Sequence, residues 1–194
     1  MTDDNKKNFD LLISIREKHK FCFNTYLEIV NKAHKTLMSK NKKASIYGMF
    51  PVDKNWLIYD EYKGKLTNDV NEMDFKYYFD EKDRIILTER YNDRKQILEY
   101  IFYYYYEDHA EVVCYSIQKK AIDLIQYVEY KNSKLYRILE LEGYVPLKNL
   151  MGYIEYIFNF NEKTVKLTKN TCAVFGQNNV SNKSNEVILS IKNE

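Results

Sequence analysis

Phe75-Lys-Tyr-Tyr-Phe79, Asp80-Glu-Lys-Asp83 and Arg84-Ile-Ile-Leu-Thr-Glu-Arg-Tyr91 follow one another without a break, and their reading decides the fold. Apolar and polar residues alternate at a period of two on either side of four charged residues. β-Branched and aromatic side chains fit a pleated surface and charged clusters reverse the chain, so the run reads as a hairpin. The pattern continues through Ile97 to Tyr106, with four consecutive tyrosines at 103–106, then Val112 to Ile117, Leu124 to Tyr130 and Leu135 to Leu141. Turns are expected at 80–83, 92–95, 107–111, 118–120 and 131–134.

Alternation assigns the faces. Phe75, Tyr77, Phe79, Ile85, Leu87, Tyr91, Val113, Tyr115 and Ile117 are apolar at odd positions. The even positions Lys76, Arg84, Thr88, Arg90, Ser116 and Gln118 are polar. That predicts a sheet with its odd face buried and its even face wet. The 97–106 strand is apolar on both sides, which sets its even row apart: Tyr100, Phe102, Tyr104 and Tyr106, with Tyr78 nearby. Tyrosine offers a large contact area with a polar tip, so these five are the candidate partner-binding residues. The other reading of the row is a second covered face.

Upstream, residues 5–40 read as a helical segment. Leu12, Ile15, His19, Cys22, Phe23, Tyr26, Ile29, Val30, Ala33 and Leu37 recur at steps of three and four, with a break expected between Lys18 and Asn24. From 45 to 191 the period is that of an antiparallel sheet. Strands are expected at Ile46–Phe50 and Trp56–Tyr62, a turn at Tyr62–Leu66, loops at 67–73 and 144–152, and a hairpin joining Tyr153–Phe160 to Thr164–Leu167. A polar loop at 177–185 and a closing strand at 187–191 complete the chain. The expected fold is α+β, one domain over 1–194. A long or broken N-terminal helix packs on a curved antiparallel β-meander of about eight to ten strands.

The chain has 194 residues, enough for a core without metal or disulfide support. Its 15% aromatic content argues against disorder. A net charge of +2 and a pI near 8.2 lack the basic excess of a nucleic-acid binder. Single-stranded nucleic acid stacked on tyrosines is therefore the weakest functional reading. No apolar run reaches the ~18–20 residues of a membrane span, and the start carries no apolar stretch behind its charges. A reduced cytoplasmic location is the expectation.

Catalytic and metal chemistry find little footing. His19 and Cys22, three apart, share a helix face within reach of one ion, but nothing completes the three or four ligands of a zinc site. His109 lies in a turn, and Cys114 and Cys172 lack a neighbouring base. Glu99 and Glu129 could perform acid–base work on a sheet surface. No Gly-rich phosphate loop, His-Glu-x-x-His or Gly-x-Ser-x-Gly occurs. No catalytic residue, cofactor or metal is assigned.

Tyr62-Lys-Gly-Lys-Leu66, Tyr78-Phe-Asp-Glu-Lys-Asp-Arg-Ile85 and Tyr130-Lys-Asn-Ser-Lys-Leu135 resemble the tyrosine-rich hairpin repeats of bacterial antitoxin and immunity proteins related to MORN repeats. The resemblance covers residues 56–165. Turns of that family carry Gly before Lys-Leu, as only the 62–66 turn does here. It implies a non-enzymatic cytoplasmic module that binds and neutralises a toxin, with that protein as partner. The alternative is a small-ligand-binding or hydrolytic enzyme with a pocket between helix and sheet, rimmed by groups such as Glu99, Glu129 and His19.

Overall fold

The computed structural model describes residues 3–40, 65–132, 134–142, 150–160, 164–175 and 179–190. Helix α1 (Asp3–Lys18) is followed by a 3-10 turn (Cys22–Thr25) and the short α2 (Tyr26–Lys32). Eleven strands follow among the described residues: β1 (Lys35–Lys40), β2 (Lys65–Thr67), β3 (Phe75–Phe79), β4 (Ile85–Tyr91), β5 (Ile97–Tyr105), β6 (His109–Ser116), β7 (Ala121–Lys131), β8 (Lys134–Glu142), β9 (Leu150–Phe160), β10 (Thr164–Phe175) and β11 (Asn179–Ser190). Their hydrogen-bonded order is β11-β10-β9-β8-β7-β6-β5-β4-β3-β1-β2, a meander with β1 inserted between β2 and β3. The α+β meander is as the alternation predicted. By their contacts the residues divide into two compact units, Phe21–Tyr104 with Val112–Ala121, and Met1–Lys20 with Tyr105–Glu111 and Ile122–Glu194.

Three expectations are corrected. The helical segment ends at Lys32 instead of 40, because Lys35–Lys40 pairs with β3 as a strand: Leu37 lies opposite Tyr77 and Ser39 opposite Phe75. The strands number eleven among the described residues, above the eight to ten expected. The extra length lies partly in 179–185, read as a polar loop; a run of Asn, Ser and Lys shows no apolar alternation, yet its backbone pairs with β10 residue by residue from Asn179 to Ser190. The break between Lys18 and Cys22 falls where periodicity placed it. The expected strands at 46–50 and 56–62 lie outside the described residues.

In the unit built on β1 to β5, the faces differ from the odd–even rule for a definite reason. β3 and β4 close with Phe79 opposite Ile85, but beyond the turn Tyr78 lies opposite Leu87, leaving Ile86 as a bulge. β4 and β5 repeat the device: Tyr91 faces Ile97, Arg90 faces Glu99, and Leu98 is the bulged residue. One extra residue reverses every side chain beyond it relative to the partner strand. Tyr78, Leu87 and Phe102 therefore share one face, as do Glu89 and Tyr100. The opposite face carries Phe75, Tyr77 and Phe79, packed with Leu37 and Ile85. Both faces are covered, so Thr88 and Ser116, expected wet, are buried.

In the other unit, α1 buries Leu12 and Ile15, and His19 just beyond its end is buried with them. Tyr153 of β9 ties the helix down, accepting from Asn8 Nδ2 at 3.1 Å and donating to Asn5 Oδ1 at 2.9 Å. β7 and β8 set Ile125 opposite Leu141 and Tyr127 opposite Leu139. The alternate residues Val128 and Ile138 are also fully buried. A polar network sits among them, with Gln126 donating to Glu140 at 2.6 Å and Tyr156 Oη to the same carboxylate at 3.4 Å.

Candidate functional site

The odd rows that were read as apolar are each interrupted by one carboxylate: Leu87-x-Glu89-x-Tyr91 in β4 and Glu111-x-Val113-x-Tyr115 in β6. Both carboxylates are buried, Glu89 at 1% exposure and Glu111 at 4%. A buried charge is costly unless hydrogen-bonded or paired, so each must gather partners. A charge inside an apolar row was the signal in the sequence, and it was missed.

Glu89 is satisfied by phenols. Tyr26 of α2 donates to its Oε1 at 2.6 Å, Tyr91 donates to Oε2, and Tyr78 adds a third hydroxyl. No ion pair reaches it among the described residues. Burial first, and then the adjacent carboxylate, push the phenols of Tyr26, Tyr78 and Tyr91 well above the usual range, so all three remain protonated donors. Phe23 and Tyr26 roof the cluster. The Tyr26 ring lies 4.7 Å from that of Tyr100, and Phe23 stands 5.5 Å from Tyr100 and 5.1 Å from Tyr115.

Glu111 is satisfied by cationic and ring donors. Lys18 Nζ lies 3.0 and 2.9 Å from its two oxygens and donates to Tyr106 Oη at 2.6 Å. His19 Nε2 lies 2.5 Å from Oε2, and Tyr106 Oη donates to the same oxygen at 3.2 Å. Burial works to raise the Glu111 carboxyl, but hydrogen bonds from His19 and Lys18 outweigh it and draw the group down to about 2. His109, expected to be an exposed turn residue, opens β6 with its ring between Tyr106 at 4.4 Å and Tyr127 at 5.0 Å. Its Nδ1 meets Asp108 at 2.6 Å.

The five candidate partner-binding residues are thus distributed. Tyr78 and Tyr100 belong to the Glu89 cluster and Phe102 is core, all three buried. Tyr104 is half-buried, and Tyr106, 42% exposed, belongs to the Glu111 cluster. Glu99 and Glu129 are engaged in ion pairs of their own, with Arg90 at 2.7 Å and Arg137 at 2.8 Å. All three cysteines are free and buried, and burial pushes the Cys22 thiol up to about 11, away from nucleophilic use. Among the described residues no group of three or more His, Cys, Asp or Glu is placed to hold a metal ion. No helix among them is long and apolar enough to cross a membrane.

The outward-facing apolar side chains gather elsewhere. Of the large hydrophobics exposed among the described residues, Phe21 (67%), Phe23 (40%) and Leu27 (69%) fall within seven consecutive positions ahead of and inside α2. Sequence periodicity had assigned Phe23 to a buried stripe. The 3-10 turn rotates the helix phase at that point. No family model matches the chain, and neither a curated protein nor a solved structure matches it.

Proposed function

We propose that the chain is a non-enzymatic protein-binding module whose partner docks on the apolar side chains of residues 21–27. The supporting observation is their concentration: Phe21, Phe23 and Leu27 stand exposed together, whereas scattered single apolar residues would be ordinary surface. The polar clusters at Glu89 and Glu111 point the same way, because their donors and acceptors are engaged with one another and hold helices on strands. The hairpin resemblance makes the partner a bacterial toxin and the module its immunity protein, with Tyr106 as the member of the tyrosine row most open to contact.

The test is calorimetric titration of the chain with the products of the genes that flank its own. A complex is expected, and Phe21→Ser/Leu27→Ser should weaken it by more than about 2 kcal/mol with little change in melting temperature. Absence of a complex, or a complex indifferent to the double substitution, overturns the reading.

A further inference from the structure

We propose that residues 23–33 form a latched flap that opens while the strands beneath it stay folded. Its ends are fixed: Cys22 is buried, and the His34 amide donates to the Phe79 carbonyl at 2.8 Å. Between them α2 has seven residues, well under the ~12–15 that an isolated helix needs to hold itself. It buries none of its residues. No side chain caps its start; Thr25 Oγ1 donates back to the Cys22 carbonyl at 2.7 Å instead.

What holds the segment down is small and specific. Tyr26 Oη reaches Glu89, and the rings of Phe23 and Tyr26 lie on Tyr100 and Tyr115. An element with few buried apolar contacts belongs to the low-stability end of a protein's local openings. β4 beneath it carries fully buried Leu87 and pairs on both sides, so it opens only with the sheet.

Opening uncovers the rings of Tyr100 and Tyr115 and removes one of the three phenol donors of Glu89, with Tyr91 and Tyr78 still in place. That surface suits a protein segment bringing an aromatic ring and a hydroxyl or amide donor into the place of Tyr26. This use of the flap rests on the protein-binding reading; the opening itself does not.

Amide hydrogen exchange on the full chain tests the flap without any partner. Amides of 27–33 should show protection at least about tenfold below those of 87–90. Tyr26→Phe keeps the ring and removes the donated hydrogen bond, and should lower protection in 27–33 by about a further tenfold with 87–90 unchanged. If 27–33 and 87–90 exchange in step in the unsubstituted chain, the segment opens only with the sheet and the flap does not exist. If Tyr26→Phe leaves 27–33 unaltered, the hydroxyl is not the latch and the proposal falls. Should that variant fail to fold, the unsubstituted comparison still decides.

Discussion

Glu111 shows what one buried carboxylate does to pH behaviour. Its pKa in the folded chain, about 2, lies below the 4.5 of an ordinary glutamate because Lys18 and His19 favour the charged form. The folded chain therefore binds that proton less readily than the unfolded one. The resulting stability is fully present above pH 4.5 and is lost progressively as pH falls towards 2. It amounts to roughly 3 kcal/mol. Glu111→Gln should remove this contribution at neutral pH and flatten the stability profile between pH 5 and 2, as read by urea unfolding at each pH. A variant whose profile still falls as steeply there would mean that other carboxylates govern acid unfolding.

At the scale of elements, strand parity decides which substitutions matter. Leu87→Asp and Thr88→Asp, on opposite faces of β4, should both cost several kcal/mol, since each places an unpaired charge in a covered layer. Arg84→Asp, at an exposed turn where Arg84 pairs with Asp80 at the surface, should shift the melting temperature little. A Thr88→Asp variant as stable as the parent would restore the wet even face. Hairpins from Phe75 to Leu141 were legible because alternation and charged turns are local signals. Their faces were not, because a bulge at Ile86 or Leu98 is one apolar residue among others and shows only in the pairing. The strand at Lys35–Lys40 was hidden by an apolar spacing compatible with either period. The polar β11 had no pattern to read. Of the candidate site, the tyrosines were visible but their purpose was not: a phenol row reads alike whether it faces a partner or a buried glutamate.

At the scale of the whole molecule, the two outermost strands in the hydrogen-bonded order differ. β2 is three residues long, whereas β11 runs twelve residues in unbroken register with β10. A long regular edge is a template for another chain unless charge blocks it. Lys183 is exposed on that edge and makes no ion pair among the described residues, so it fits the role of a guard. Lys183→Val should raise concentration-dependent association, measured by light scattering, without lowering the melting temperature. Unchanged scattering would mean that the edge is protected by other means.

The bulges at Ile86 and Leu98 also limit how this chain can vary over evolutionary time. Each acts on its hairpin as a single inserted letter acts on a reading frame: everything past it is inverted with respect to the partner strand. Removing either residue would turn Glu89 away from Tyr26 or Tyr100 away from Glu89. Substitutions that keep the length between β3 and β5 preserve this parity, but viable insertions and deletions there should come in pairs. A lineage that lost one bulge would keep its hairpin and scramble its interior.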